Sequence, residues 1–188
     1  MTEDKIDLIG LSLKEISETL INKDLIQAKE KFRAKQLWHW LYFRGETDFE
    51  KMTTVSKDLR KKLKDCFIIR RPKVKSHQTS KDGTQKWLLE LNDSNLIETV
   101  FIPEENRGTL CVSSQVGCTL NCKFCFTGTQ KLVRNLTSSE IISQLLLAKD
   151  NLSDWPNGKD RKISNIVFMG MGEPLYNYEN VKNAAEIM

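Results

Sequence analysis

Apolar residues recur at helical spacing in the first 72 residues and predict three short helices there. The first begins at a capping box, Ser12-x-x-Glu15, the second ends at Gly45, and the third begins near Ser56. Their apolar faces consist of Leu13, Ile16 and Leu20, then Ala34, Leu37, Trp38, Leu41 and Tyr42, then Leu59, Leu63, Cys66 and Phe67. Residues 1–72 are therefore expected to form a small helical accessory domain.

The pattern changes to strand signals between residues 73 and 106. Two runs rich in strand-forming residues, 86–91 and 96–102, are bounded by polar turn sequences. One face of the second run carries Leu96, Glu98, Val100 and Ile102. One interpretation is that this face is solvated or that Glu98 pairs with a lysine. The other is that the carboxylate is partly desolvated and is therefore a stronger base than a free one. Residues 73–106 are expected to form a β extension.

Strands and helices alternate from residue 107 onward. An apolar strand at 110–114 precedes a helix with a second capping box, Thr137-x-x-Glu140. After a break at Trp155-Pro156-Asn157-Gly158, the apolar run 163–169 suits a strand that is buried on both faces, and a last helix begins near Asn177. This order predicts an α/β fold in which residues 107–188 begin a partial (β/α) barrel, because about two βα units cannot close one.

The composition indicates a folded chain of 188 residues, with 39% hydrophobic and 29% charged residues. No apolar run approaches the roughly 20 residues of a membrane span, and the acidic N-terminus does not resemble a signal peptide. Five unevenly placed cysteines argue against a secreted disulfide framework. We therefore expect a cytoplasmic protein that does not associate with membranes.

Positive charge is concentrated between Lys57 and Lys75, where nine basic and two acidic residues give a local net charge of +7. The whole chain carries only +4, so the rest of the molecule is slightly acidic. A local basic patch is typical of a surface that binds a polyanion such as RNA, although a solvated helix face gives the same pattern. The candidate RNA-binding residues are Arg60, Lys61, Lys62, Lys64, Arg70 and Arg71.

Three cysteines, Cys118, Cys122 and Cys125, lie within eight residues, so one loop could bind a single inorganic centre with all three thiolates. Thiolates favour zinc or iron–sulfur clusters. A structural zinc site takes four ligands, and the sequence has no second CxxC pair to supply the fourth. Three cysteines on a cubane of four irons would leave one iron open to a small molecule. The spacing favours the cluster and leaves zinc as the alternative.

The spacing CxxxCxxC, with the aromatic Phe124 before the last cysteine, resembles the signature of the radical S-adenosylmethionine (SAM) superfamily. The resemblance implies that Cys118, Cys122 and Cys125 hold a [4Fe–4S] cluster. It also implies that the open iron binds the amino and carboxylate groups of SAM. Phe124 is then expected to contact the adenine of SAM.

A glycine-containing sequence after the run 163–169 supports this resemblance. Glycines at the end of a barrel strand let a ligand approach backbone atoms, and a neighbouring carboxylate can accept from an ammonium group. Gly172 and Glu173 match the superfamily motif that contacts the SAM amino group, and Met171 occupies the position of its first glycine. Taken alone, the sequence would be an ordinary turn between a strand and a helix.

Longer segments narrow the resemblance to the dual-specificity RNA methyltransferase family RlmN. They are FRAKQ at 32–36, ETVFIP at 98–103 and GTLCVSSQVGC at 108–118. The family methylates C2 of one adenine in 23S rRNA and of the adenine after the anticodon in tRNA. The resemblance implies that Glu98 is the proton acceptor, and that Cys111 is a resolving cysteine that forms a transient disulfide. It also implies a flavodoxin-like electron donor, and we expect a monomer.

One feature of the family is missing from the sequence. The cysteine that carries the methyl group in the family corresponds to a position beyond residue 188. The chain is therefore interpreted as the N-terminal half of such an enzyme, with full activity not expected of this half alone. Two alternatives stay open: the sibling family that methylates C8 of the same rRNA adenine, and a zinc-containing RNA-binding module without catalysis.

Overall fold

The computed structural model describes residues 5–105, 107–156 and 161–188, so Asn157 and Gly158 of the predicted chain break lie outside it. The helices are α1 Leu13–Asn22, α2 Phe32–Trp38, α3 Lys57–Cys66, α4 Ser138–Leu152 and α5 Tyr178–Ile187. The strands are β1 Ile6–Asp7, β2 Phe67–Ile68, β3 Lys73–Thr79, β4 Gln85–Glu90, β5 Leu96–Pro103, β6 Gly108–Cys111, β7 Gln115–Val116, β8 Arg134–Asn135 and β9 Asn165–Val167. None of the helices in these described ranges is long and apolar enough to cross a membrane.

Both predicted capping boxes are confirmed. At the start of α1, Ser12 Oγ accepts from the Glu15 amide at 3.2 Å, and Glu15 Oε2 accepts from the Ser12 amide at 2.7 Å. Thr137 and Glu140 make the same reciprocal pair at the start of α4. Each box satisfies two amides that have no partner within the helix, which fixes where the helix begins.

The predicted helical region is confirmed, with two local differences. Helix α2 continues as a π-helical turn over His39–Phe43 before the chain reverses at Gly45, which has a φ of +70°. Phe67 was predicted on the apolar face of the third helix, but α3 ends at Cys66. The Phe67 backbone instead pairs with Ile6 in the short parallel β1–β2 sheet, which brings its ring into the core.

One five-stranded sheet has the order β3-β4-β5-β6-β9. Neighbouring strands are antiparallel from β3 to β6, because short connections join them. The pair β6–β9 is parallel, with Cys111 opposite Val167, as the alternation of strands and helices predicted. Strands from the predicted β extension and from the predicted barrel segment therefore lie in the same sheet.

The prediction of a strand buried on both faces at 163–169 is wrong. Strand β9 spans only three residues, of which Asn165 is exposed and the other two are half-buried, and all three line the open groove. Met169 is 78% exposed. The run is apolar because Ile163 packs in the core and Ile166 and Phe168 pack partly against it.

The two faces of the sheet have different environments. Ile97, Thr99 and Phe101 alternate on the buried face of β5, where the Thr99 hydroxyl donates to Gln144 Oε1 of α4 at 2.7 Å. Helix α4 thus covers this face. The opposite face of β5, β6 and β9 borders an open groove of about 850 Å³, whose lining includes Ile102 and Cys111. The sheet and helices therefore form a partial barrel with an open interior.

Polar and close contacts join the helical region to α4. Arg71 Nε pairs with Asp150 at 2.7 Å, and Trp155 Nε1 donates to the same carboxylate at 2.7 Å. The backbone of Gly45 lies so close to the Trp155 ring that an added Cβ would come within 2.3 Å of it. The buried apolar residues of both regions form one continuous core.

Candidate functional site

Two loops meet at one edge of the sheet. The cysteine loop (residues 117–131) follows β6 and β7, and the glycine loop (residues 169–174) follows β9. Because β6 and β9 are parallel, their carboxyl ends lie side by side, which is where α/β proteins place their ligand sites. The Gly170 amide donates to the Val112 carbonyl at 3.1 Å. The amides of Ser114 and Gln115 both donate to the Met171 carbonyl, at 2.8 and 3.1 Å.

The glycines of the glycine loop allow it to approach the protein's own strand. Gly172 has a φ of +95°, and an added Cβ would lie 2.4 Å from Gln115 Cβ. At Gly170 an added Cβ would lie 2.7 Å from Ser113 Oγ. Sequence reasoning attributed the glycines to ligand approach, whereas the contacts that require them here lie within the chain.

The cysteine loop is closed at its base. Gly117 has a φ of +75°, the Val133 amide donates to the Val116 carbonyl at 2.9 Å, and Cys118 bridges to Lys131. Cys118, Cys122 and Cys125 are all half-buried free thiols. The amide of Leu120 donates to Cys118 Sγ at 3.4 Å, an interaction that also stabilises a thiolate.

Three thiols on one half-exposed loop are a donor set that suits an iron–sulfur cluster. Within the part of the chain that the structure describes, no three His, Cys, Asp or Glu side chains converge on a single point as one bound metal ion requires. A cubane does not require this convergence, because each cysteine binds a different iron. The predicted adenine-contacting residue, Phe124, lies between two of the cysteines and is 94% exposed.

Glu173 has its carboxylate at the start of the helical turn Pro174–Asn177. Its Oε1 accepts from the Leu175 amide at 3.1 Å, and its own amide donates to Gln115 Oε1 at 3.0 Å. The structure therefore brings the sequence-predicted Gly172 and Glu173 next to the strand that leads into the cysteine loop. The other carboxylate oxygen of Glu173 has no hydrogen bond within the described part of the chain and is available to a ligand.

Gln115 and Ser113 are site residues that sequence reasoning missed. The Gln115 side chain is fully buried and hydrogen-bonds to Thr119, to Asn135 and to the Glu173 amide. Ser113 Oγ accepts from the Met171 amide at 2.9 Å and donates to the Glu98 carbonyl at 2.6 Å. The polar composition of SSQ in an otherwise apolar strand was the available signal, because buried polar side chains are normally hydrogen-bonded.

Glu98 and Cys111 lie on the same face of the sheet. Val100 is directly opposite Cys111, and Glu98 follows on the same side of β5, a diagonal separation of roughly 7–8 Å between α-carbons. Glu98 Oε1 pairs with Lys86 Nζ at 3.1 Å, and the Glu98 side chain is 45% exposed. The expected lysine partner is therefore confirmed, and the Glu98 side chain is partly exposed to solvent.

Cys111 borders the open groove, although its side chain is half-buried. Burial disfavours the thiolate and raises the pKa of Cys111, and a hydrogen bond from the Met169 amide lowers that pKa by less. The thiol is consequently protonated and weakly nucleophilic at neutral pH.

The basic segment divides into paired and exposed residues. Arg60, whose side chain is 11% exposed, pairs with Glu50 and donates to its carbonyl. Arg71, whose side chain is 15% exposed, pairs with Asp150. Partners of the same chain hold these two arginines, so both stabilise the fold, and their contact with RNA stays a prediction. The exposed members of the set are Lys61, Lys62, Lys64 and Arg70.

The fold is that of a radical SAM methyltransferase. A crystal structure of a radical SAM methyltransferase from Sphaerobacter thermophilus matches 97% of this chain and 51% of its own chain, with a TM-score of 0.83 and 36% sequence identity. A mixed sheet with helices on one face and an open interior is shared over nearly the whole chain, which confirms the predicted α/β class.

The particular family follows from sequence comparison. Residues 6–69 match the family model described as the ribosomal RNA large subunit methyltransferase N-terminal domain. Dual-specificity RNA methyltransferases RlmN from Rhizorhabdus wittichii and Rhizobium meliloti are 55% and 56% identical to the chain over 98% and 96% of its length. The chain belongs to the RlmN family, and it spans about half the length of these relatives, 46% and 48%.

Proposed function

We propose that this chain forms the cluster-binding and RNA-binding half of a radical SAM RNA methyltransferase. Its substrates would be C2 of adenine 2503 in 23S rRNA and of adenine 37 in tRNA. The proposal rests on one observation above all. The segment 112–116, which directly follows the groove-lining Cys111, bonds both loops: its backbone bonds the glycine loop, and its Gln115 side chain bonds Thr119 of the cysteine loop.

The chemistry of the substrate explains why such a site is needed. C2 of adenine lies between two ring nitrogens and is electron-poor, so it does not attack the methyl group of SAM as a nucleophile. A [4Fe–4S] cluster held by Cys118, Cys122 and Cys125 would supply the electron that cleaves SAM and opens a radical route. Phe124 and Glu173 would bind SAM through its adenine and its ammonium group, and Gly172 would let the loop turn beside them.

Two residues on the open face of the sheet are proposed to act on the RNA base. Glu98 would take the proton from C2 of the adenine, and its solvated position lets it pass that proton to water. Lys86, 3.1 Å from the carboxylate, keeps Glu98 oriented on the groove side of β5. Cys111 would release the product after its thiol has lost a proton: the thiolate would attack the sulfur of a second cysteine that is bonded to the base through a methylene carbon. The sulfur–carbon bond would break as the disulfide forms, and the released carbon would take up a proton to become the methyl group.

The exposed basic residues supply the proposed RNA contact. Lys61, Lys62 and Lys64 lie on the solvent side of α3, since Leu59 and Leu63 occupy the buried side. Charged side chains at this spacing can contact successive phosphates without reading sequence. We propose residues 1–72 as the RNA-binding domain, residues 73–106 as its connection, and residues 107–188 as the start of the catalytic core. A flavodoxin-like protein is the proposed electron donor, and the proposed setting is a cytoplasmic monomer.

Nucleoside analysis of treated RNA tests the function. The complete reading frame that contains this chain is purified anaerobically and incubated with SAM, a reductant and unmodified 23S rRNA or tRNA. We expect 2-methyladenosine by mass spectrometry, and its loss in Glu98→Gln and Cys111→Ala. Cys111→Ala should also accumulate a covalent protein–RNA species on a denaturing gel. Formation of 8-methyladenosine would assign the chain to the sibling family, and the absence of any methylated adenosine would contradict the proposal.

A further inference from the structure

The Gln115 side chain uses all of its hydrogen-bonding capacity. Its Oε1 accepts from the amides of Glu173 and Thr119, at 3.0 and 3.4 Å. Its Nε2 donates to Thr119 Oγ1 at 3.1 Å and to Asn135 Oδ1 at 2.8 Å. An amide offers two acceptor positions and two donors, so every position is filled. The side chain is fully buried, where each lost bond leaves a polar group without a partner.

The partners of Gln115 lie on three different segments. Thr119 belongs to the cysteine loop, Glu173 to the glycine loop and Asn135 to β8. Asn135 extends the connection, because its Nδ2 donates to the Tyr176 carbonyl just after the glycine loop at 3.1 Å. The Gln115 amide group therefore bonds both loops at once, in addition to the bond between its backbone amide and the Met171 carbonyl.

We infer that Gln115 is a positioning residue that fixes the separation between the cysteine loop and the glycine loop. The inference rests on the proposed function, in which a single SAM molecule contacts a cluster on the first loop and Glu173 on the second. A ligand that bridges two loops binds well only if their spacing is held to within about 0.5 Å. Gln115 touches neither ligand and acts through Thr119 and Glu173.

Other residue types cannot replace all four bonds. A glutamate keeps both acceptor positions but lacks the donors to Thr119 and Asn135. A methionine keeps the length and the Cβ that packs against Gly172, and loses all four bonds. These two substitutions therefore separate the acceptor role of Gln115 from its role in filling space.

Amide hydrogen exchange on the 188-residue chain without cofactor tests the inference directly. In Gln115→Met, the amides of Thr119 and Glu173 should both exchange about fivefold faster, the factor for one lost hydrogen bond of about 1 kcal/mol. Gln115→Glu keeps the acceptor but loses both donors, so it should protect the two amides better than Gln115→Met and less well than the wild type. Gln144→Met removes another fully buried glutamine, whose partners are Ser113, Thr99 and Glu140. Because Ser113 also bonds the glycine loop, this variant is the control for the Thr119 amide alone, whose exchange it should leave unchanged.

A milder variant keeps the test decisive if Gln115→Met unfolds the chain. Thr119 is exposed, and Thr119→Val removes one anchor of the Gln115 amide without touching the glycine loop. Its expected effect is about a twofold faster exchange of the Glu173 amide. An unchanged Glu173 amide in Thr119→Val would overturn the inference. In Gln115→Met, faster exchange in only one loop, or a uniform increase over the whole chain, would also overturn it.

A second measurement separates this inference from the proposed function. After anaerobic reconstitution, Gln115→Met should keep the iron and sulfide content of the wild type and bind SAM about tenfold more weakly. If the wild type takes up no cluster, the proposed function fails, and the exchange data still decide the role of Gln115. Equal SAM affinity of wild type and Gln115→Met, with a full cluster in both, would show that the spacing of the loops does not depend on Gln115.

Discussion

Glu98 and Cys111 show how much depends on the face of a strand that a single residue occupies. Alternation along β5 puts Glu98 on the face opposite to Ile97 and Thr99, which are fully buried. The same alternation could be read from the sequence, but it does not reveal which face is covered by a helix. Only the packing of α4 against Thr99 decides that Glu98 is solvated and that Lys86 is its partner.

At Cys111 the raised pKa predicts slow alkylation. The buried thiol favours its protonated form, so the folded chain should contain less Cys111 thiolate than the unfolded chain at any pH near the thiol pKa. We expect the iodoacetamide rate at Cys111, followed by peptide mass spectrometry, to reach its half-maximum at a higher pH in the native chain than in urea. A native half-maximum at or below the value in urea would contradict this environment for Cys111.

At the scale of elements, features set by neighbouring residues could be predicted from the sequence, whereas features set by contacts between distant residues could not. The starts of α1 and α4 were correct because a capping box involves residues only three positions apart. The predicted burial of the run 163–169 was wrong because it depends on which elements cover the sheet, and β9 borders the open groove. The ion pair of Arg71 could not be predicted either, because its partner Asp150 lies 79 positions away.

The C-terminal end of α4 is held by an ion pair that no sequence pattern indicates. Lys149 Nζ lies 3.3 Å from Asp154 Oδ2, and both side chains are only 4% exposed. Burial lowers the pKa of Lys149, which Asp154 opposes by favouring the charged form. The Asp154 carboxylate also accepts from the amides of Lys162 and Ile163, so it links the end of α4 to the segment that leads into β9.

Removal of this buried carboxylate should be costly. We expect Asp154→Leu to lower the free energy of unfolding by about 3–5 kcal/mol, because it removes a buried carboxylate that bonds the Lys149 ammonium and the amides of Lys162 and Ile163. Urea denaturation measures the change. The control is Lys14→Met, which breaks the exposed pair with Glu18 in α1 and should cost no more than about 0.5 kcal/mol. Similar costs for the two variants would show that the buried pair does not stabilise this end of α4.

On the scale of the whole molecule, the exposed positive charge and the candidate functional site lie in different regions of the protein. The exposed lysines of α3 belong to the helical region, whereas the cysteine and glycine loops lie at the edge of the sheet. Two contacts join these regions. Arg71 pairs with Asp150 of α4, and Gly45 packs closely against Trp155, which follows α4. If the helical region binds RNA as proposed, these contacts would hold the RNA at a fixed position relative to the groove.

The salt dependence of RNA binding tests the exposed lysines. If Lys61, Lys62 and Lys64 contact phosphates, the triple alanine variant should flatten the log–log slope of affinity against salt by about 2, at roughly 0.7 for each contact to single-stranded RNA. Filter binding at several salt concentrations gives the slope. A control variant removes three other exposed lysines, Lys14, Lys81 and Lys182. Equal slopes for the two triple variants would assign the α3 lysines to the solvated surface.

The central claim is that Cys118, Cys122 and Cys125 together bind a [4Fe–4S] cluster, and metal and sulfide analysis after anaerobic reconstitution tests it most directly. We predict about four irons and four sulfides for each chain, with broad visible absorption, in the wild type and in the control variants Cys66→Ala and Cys111→Ala. Cys118→Ala, Cys122→Ala and Cys125→Ala should each lose the cluster. Stoichiometric zinc without sulfide in anaerobically purified protein, lost in the same three variants, would contradict the account.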